Sequence, residues 1–356
     1  MSLKLKHAVY RAARAAGLFA LSRRLTAGRL RILAYHGFAQ HDEARFRDKL
    51  FITPGTFERR LAMLRRAGHP VLGLDQAVAA LQRGALPDAA VVITIDDGYA
   101  STLSVAGPML ASFGFPATVY LTTYHMDKQT PVFDLAIAYL VWKSALVKAS
   151  LVWPVQGPPL DLDLASPASR GRAAQQLVAI GKALDGEAQR SAFRQAVAGA
   201  LAVDDAAMLA AGSFRLMDFD EARRLAGFGI EVGLHTHRHR FPAGDDAACR
   251  AEIALNRQLL EDRLGVAPRH FCYPSGEYSP DQWPLLAAMG VASATTCDTG
   301  LARTGHPRYG LKRFLDGESV SELEFEAELS GFSDLLRQLL RVDRRGAAGS
   351  ASAGGR

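Results

Sequence analysis

The sequence has only three cysteines, Cys249, Cys272 and Cys297, and no C-x-x-C pair. An odd, sparse set excludes a disulfide framework and a cysteine-built zinc site, and a reducing compartment is the simpler setting. Long apolar runs are also missing. Near the N-terminus the apolar stretch is Ala15–Leu21, followed almost at once by Arg23 and Arg24. It is too short to span a bilayer and lacks a small-residue cleavage site, so no cleavable signal peptide is expected. Acidic residues are absent from positions 1–31, which carry Lys4, Lys6, Arg11, Arg14, Arg23, Arg24, Arg29 and Arg31. Read as a helix, this segment is basic and partly amphipathic. It would either lie on an anionic membrane face or pack on the domain as a first helix.

What is present is ordinary globular composition: 356 residues, 49% hydrophobic and 22% charged, enough for a large core. The net charge of +6 and pI near 9.3 are mildly basic, and no nucleic-acid partner is expected.

Strand-like and helix-like segments alternate. Arg31–Gly37, Val71–Leu72, Val91–Ile95, Ala117–Leu121, Ile230–Leu234, His270–Tyr273, Ala292–Thr296 and Leu311–Leu315 read as strands. Helices are expected at Thr56–Gly68 with Thr56 as cap, Leu74–Arg83, Ser101–Phe113, Asp218–Leu225, Asp245–Leu264, Pro280–Met289 and Ser319–Leu340. Alternation of this kind predicts a parallel sheet with its chemistry at the carboxyl ends of the strands. The rhythm breaks between 125 and 215. There Val132–Ser150 reads as helix, 151–164 as Pro-rich irregular chain and 168–211 as Ala-rich helix. The expected organisation is a basic helical segment at 1–29, a barrel built from 30–124 and 216–340, a helical insertion at 125–215 and a low-complexity, disordered tail at 341–356.

Two clusters carry chemistry. Asp96-Asp97 directly follows the β-branched run Val91–Ile95, and His235-Thr236-His237-Arg238-His239 directly follows Ile230–Leu234. Adjacent carboxylates repel unless a cation or a base shares their site. Histidines spaced i, i+4 bring both imidazoles to one side on a helical turn or a compact loop. One acid and two histidines make a three-ligand divalent metal site with an open position, and the second acid is left as a base. The bland readings are an Asp-Gly turn and a surface His/Arg run.

These motifs resemble a family. Thr94-Ile95-Asp96-Asp97-Gly98 is similar to the T-F-D-D-G signature of polysaccharide deacetylases, the NodB-homology fold of carbohydrate esterase family 4. His235-Thr236-x-x-His239 resembles their H-[ST]-x-x-H, and Phe271-Cys272-Tyr273-Pro274-Ser275-Gly276 resembles their F-x-Y-P-x-G form. Tyr35-His36-Gly37 and Gly114–Thr118 resemble further family elements. The resemblance implies an α/β fold, a distorted (β/α) barrel of about seven strands, here with a helical insertion. It implies Asp97, His235 and His239 as ligands of a divalent metal, zinc first with cobalt or nickel as alternatives. Asp96 would be the base, and the backbone N–H of Ser275 would hold the oxyanion. Thr236 would buttress the histidine loop.

Two departures stand out. Cys272 occupies the place of the arginine that orients the base, and Arg313 is the candidate replacement. The late histidine that protonates the leaving amine is missing, which leaves His36 and His306 as candidates. The expected activity is N-deacetylation of an amino-sugar polysaccharide or its lipid-linked precursor. The alternatives are hydrolysis of another amide, such as a formamide, at the same site, or a non-catalytic metal-containing carbohydrate binder. A cytoplasmic or inner-face peripheral location is expected, with export left open.

Overall fold

The computed structural model describes residues 3–153 and 158–340. The tail at 341–356 lies outside the described residues. The chain divides into two compact units, residues 1–123 with 223–356, and residues 124–222.

The first unit is built on seven strands: β1 (Arg31–Tyr35), β2 (Val91–Ile95), β3 (Ala117–Leu121), β4 (Ile230–Leu234), β5 (His270–Cys272), β6 (Ser293–Thr299) and β7 (Leu311–Leu315). They close into a barrel in sequence order, with β7 paired back to β1 and every pairing parallel. The register sets Tyr35 beside Ile95, Ile95 beside Val119, and Leu234 beside both Leu121 and Phe271. The residues that follow β1, β2, β4 and β5 therefore emerge at one level around one rim.

The strands form where the sequence is apolar or β-branched and buried on both faces, as parallel strands require. β1, β2 and β3 are buried at every position. Ile32, Val92, Tyr120, Cys272 and Leu311 share one core cluster with Leu74, Val78 and Leu81 from a covering helix. Val71–Leu72 is no barrel strand. It contributes a single bridge to Val91.

Helix boundaries differ from expectation in several places. The helix expected from Thr56 begins at Pro54, capped by Thr53 Oγ1, which accepts from the Thr56 N–H; Pro54 needs no N–H partner at the first turn. Ser319–Leu340 is two helices, Glu322–Leu329 and 332–340, parted at Gly331 with φ 79°. A Cβ at Gly331 would stand 2.3 Å from Thr26 Oγ1, so the break lets the chain approach Thr26 closely. The N-terminal segment forms α1 (Leu3–Ala15) and α2 (Leu18–Leu25). Their inner face is packed: Tyr10, Ala13 and Phe19 cluster with Ala327, Leu323, Phe332 and Leu336.

The second unit is not purely helical. The helix expected over Val132–Ser150 stops at Lys143, and Lys148–Val152 pairs antiparallel with Pro159–Asp163. Pro159-Leu-Asp-Leu-Asp alternates apolar and polar with period two, and Leu151 and Leu162 are its buried positions. The surrounding Pro-rich composition masks that alternation. The Ala-rich stretch is three helices, Pro167–Lys182, Gly186–Ala200 and Asp205–Ala210.

Candidate active site

At the end of β2 the backbone turns sharply. The Asp96 N–H donates to Tyr35 O at 2.9 Å, closing the last rung to β1. Asp97 then takes φ 69°, a left-handed conformation that aspartate tolerates better than most residues, and Gly98 continues at φ 89°. The turn sends two adjacent carboxylates to different partners.

Asp96 meets Arg313 from β7. Arg313 Nη1 donates to Asp96 Oδ1 at 2.7 Å and Nη2 to Oδ2 at 2.8 Å, a bidentate pair with both side chains out of solvent. The same guanidinium donates to Thr296 O, Thr94 Oγ1 and the Cys272 Sγ. Burial pushes Asp96 up, but the Arg313 charge outweighs it and holds the carboxyl below its ordinary range. His36, directly after β1, places Nε2 3.7 Å from Asp96 Oδ2.

Asp97 meets the two histidines. Its Oδ1 lies 3.2 Å from His235 Nε2 and 3.4 Å from His239 Nε2. The histidine segment is a compact loop rather than a helical turn, with Thr236 at φ 63° and His239 at φ 55°. Thr236 Oγ1 accepts from the Arg240 N–H and braces the loop. His235 Nδ1 faces Cys272 O at 2.8 Å, so that nitrogen carries the proton and Nε2 is the one aimed at Asp97. Burial lowers His239 to about 4, which leaves its imidazole neutral at pH 7. Burial also acts to lower His235, but the Cys272 sulfur and the Asp97 carboxylate raise it well above an ordinary histidine. Asp97 in turn is pushed up by burial and pulled far below its usual range by the facing imidazoles. His237 points away, with Nδ1 on Thr123 Oγ1 at 3.0 Å.

Asp97 Oδ1 is buried and makes no hydrogen bond of good geometry among the described residues, although two imidazole nitrogens face it. One carboxylate oxygen and two Nε2 atoms around such a gap fit a zinc-like dication, and cobalt or nickel by the same donor set. Asp96, His235 and Cys272 form an overlapping group of possible ligands. There Arg313 already neutralises the acid, and its fixed positive charge would repel a second cation.

The structure thus brings His36, Asp96, Asp97, His235, His239 and Arg313 into one cluster. Ser275 follows β5 in a turn at φ 57°, with its side chain exposed and making no hydrogen bond among the described residues. His306 is elsewhere, in the loop before the amino end of β7, with Nε2 accepting from Arg303. Tyr99 and Tyr273 are buried core residues. Cys272 is fully buried, yet it is more than a filler, since its sulfur accepts from Arg313 and lies 3.6 Å from Asp96 Oδ2.

Asn256 escaped the sequence reading. It sits on the helix Asp246–Leu264, fully buried; its Oδ1 accepts from the His235 N–H and its Nδ2 donates to Leu121 O and Thr123 Oγ1. The signal was an asparagine at a core position of the series Cys249, Ile253, Asn256, Leu260.

Comparison with known proteins gives a consistent relationship. Solved structures with the same fold include the deacetylase PplD of Streptococcus pyogenes in complex with acetate, at 15% identity and a TM-score of 0.56 over 85% of this chain and 99% of that one. IcaB from Ammonifex degensii aligns at 18% and 0.53, over 85% and 97%. A de-N-acetylase from Aggregatibacter actinomycetemcomitans aligns at 15% and 0.53, over 84% and 99%. No curated protein matches the sequence significantly. The family model described as polysaccharide deacetylase matches residues 198–294. The chain is thus similar to the polysaccharide deacetylases over residues 198–294 and shares its closed barrel fold with solved deacetylases.

Proposed function

We propose that this chain is a metal-dependent N-deacetylase that hydrolyses the acetamide of an amino-sugar residue, in a polysaccharide or its lipid-linked precursor. The observation that carries the reading is the convergence of Asp97, His235 and His239 around a buried carboxylate oxygen, beside a second carboxylate held ionised by Arg313. A dication held by Asp97, His235 and His239 would acidify a water molecule and polarise the acyl carbonyl.

The chain's own groups supply the rest. Asp96, kept as a carboxylate by Arg313, takes the proton from the attacking water. His36, with Nε2 3.7 Å from Asp96 Oδ2, is the group assigned to hand a proton to the leaving amine nitrogen as the C–N bond breaks. The Ser275 backbone N–H is the donor assigned to the carbonyl oxygen as it gains charge. A purely binding protein would need no second carboxylate beside Asp97, whereas hydrolysis needs a base there.

The test is acetate release from N-acetylglucosamine oligomers, with chelation and zinc or cobalt restoration, beside Asp96→Asn. Metal-restored release that Asp96→Asn reduces by at least a hundredfold, with metal content unchanged, supports the reading. Bound metal with no acetate from any oligomer overturns the substrate assignment and moves it to another amide or to a binder.

A further inference from the structure

We propose that the two N-terminal helices form a docking surface for an anionic lipid bilayer. α2 exposes Leu18, Leu21 and Leu25 at 40%, 51% and 63% of their surface, while Phe19 and Ser22 face inward. Spacing of i, i+3 and i+7 sets the three leucines in one stripe along the helix. That stripe is not the seam of an unfinished core, because the inner face of α1 and α2 is already filled by the cluster around Tyr10, Phe19 and Phe332.

The charges of the segment sort in the same way. Several basic residues of the segment have partners on the rest of the protein. Lys6 pairs with Glu324 at 2.7 Å, Arg14 with Glu326 at 3.1 Å, and Arg23 donates to Ala67 O at 2.7 Å. Lys4, Arg11 and Arg24 are exposed, and none has an acidic partner among the described residues. The first acidic residue of the chain is Asp42, so nothing within α1 or α2 offsets them. Exposed leucines on helices with unopposed cations match a surface that offers acyl chains beneath anionic headgroups. A second copy of the chain fits less well, since a two-fold contact would bring two uncompensated basic surfaces together. α2 leads into the amino end of β1, whereas His36, Asp97, His235 and His239 stand at the carboxyl ends of their strands.

The experiment is co-sedimentation of the full chain with vesicles of phosphatidylcholine alone and with phosphatidylglycerol added. Three variants accompany it: Leu21→Glu with Leu25→Glu, Arg24→Glu, and Leu209→Glu as an exposed-leucine control in the other unit. The expected result is binding to the anionic vesicles that weakens with salt and falls about tenfold or more in the leucine pair. Arg24→Glu should lower it several-fold and Leu209→Glu should leave it unchanged. Melting curves of the variants should match the parent chain, since the changed side chains are exposed. No sedimentation of the parent chain overturns the proposal. So does undiminished binding by the leucine pair, which would mean charge adsorption alone. A concentration-dependent dimer that the leucine pair abolishes, without vesicle binding, overturns it in favour of a second copy.

Discussion

Replacing Arg313 with methionine tests the electrostatic heart of the site without touching an assigned metal ligand. Arg313 is fully buried and gives both ends of its guanidinium to Asp96, itself 2% exposed. Methionine fills much of the volume but leaves a buried carboxylate with no cation. Breaking a buried pair from one side costs about 3–5 kcal/mol, a large share of a total stability of about 5–15 kcal/mol. The cost has a pH signature. In the parent chain Asp96 is held below its ordinary range, so its contribution is present above the unfolded carboxylate value and is lost as pH falls through the folded one. In Arg313→Met only burial acts strongly, and it pushes the carboxyl up. That contribution is intact below the ordinary carboxylate value and is lost as pH rises from there through the raised folded value. The stability gap should therefore be widest near neutrality and shrink in acid. Urea denaturation at several pH values, with chelator throughout, measures it. The double variant Asp96→Asn with Arg313→Met should recover part of the loss, because both charges are then gone. A cost below about 1 kcal/mol, a gap that widens in acid, or strict additivity in the double variant would refute the reasoning.

Three further outcomes are expected. Zinc at a hundredfold excess over its Kd should stabilise the chelated protein by about 2.7 kcal/mol, and His239→Ala should remove that gain; differential scanning calorimetry reads both. Glu324 is pushed up by burial but drawn down to about 2 by Lys6 and the Ser321 cap, so its stabilising share is present above 4.5 and drains away between 4.5 and 2. Acid melts of Glu324→Gln should lack that part of the pH dependence. Gly233→Ala should destabilise by about 1–3 kcal/mol in denaturant titration, since its Cβ would sit 2.5 and 2.8 Å from the buried Tyr120 ring and 3.1 Å from His270 O.

The barrel was legible because its strands are short, apolar and separated by helices of the right period. What composition hid was alternation at Pro159–Asp163, drowned in prolines, and the break at Gly331, which depends on the distant Thr26. Asp96-Asp97 and the histidine pair stand out as motifs, and the structure shows how a single left-handed residue sends the two acids to separate partners. Their surroundings were less readable. Asn256 lies 21 residues beyond His235 and looks like an ordinary helix residue until burial forces its amide to find partners. Cys272 reads as a small hydrophobe by type, and only the fold reveals that Arg313 reaches it from a non-adjacent strand.

Asp97, Thr236, His239 and Ser275 all occupy left-handed backbone, each at about 1–2 kcal/mol above a relaxed residue. Their neighbours hold them there, and glycine would sit in the same places without strain. The rim of this barrel is therefore where durability and chemistry compete. A screen for heat resistance alone would drift toward glycine at Ser275, whose exposed side chain holds nothing among the described residues, and would be rewarded while that loop lost its stiffness; at Thr236 the hydrogen bond from Arg240 opposes the same exchange.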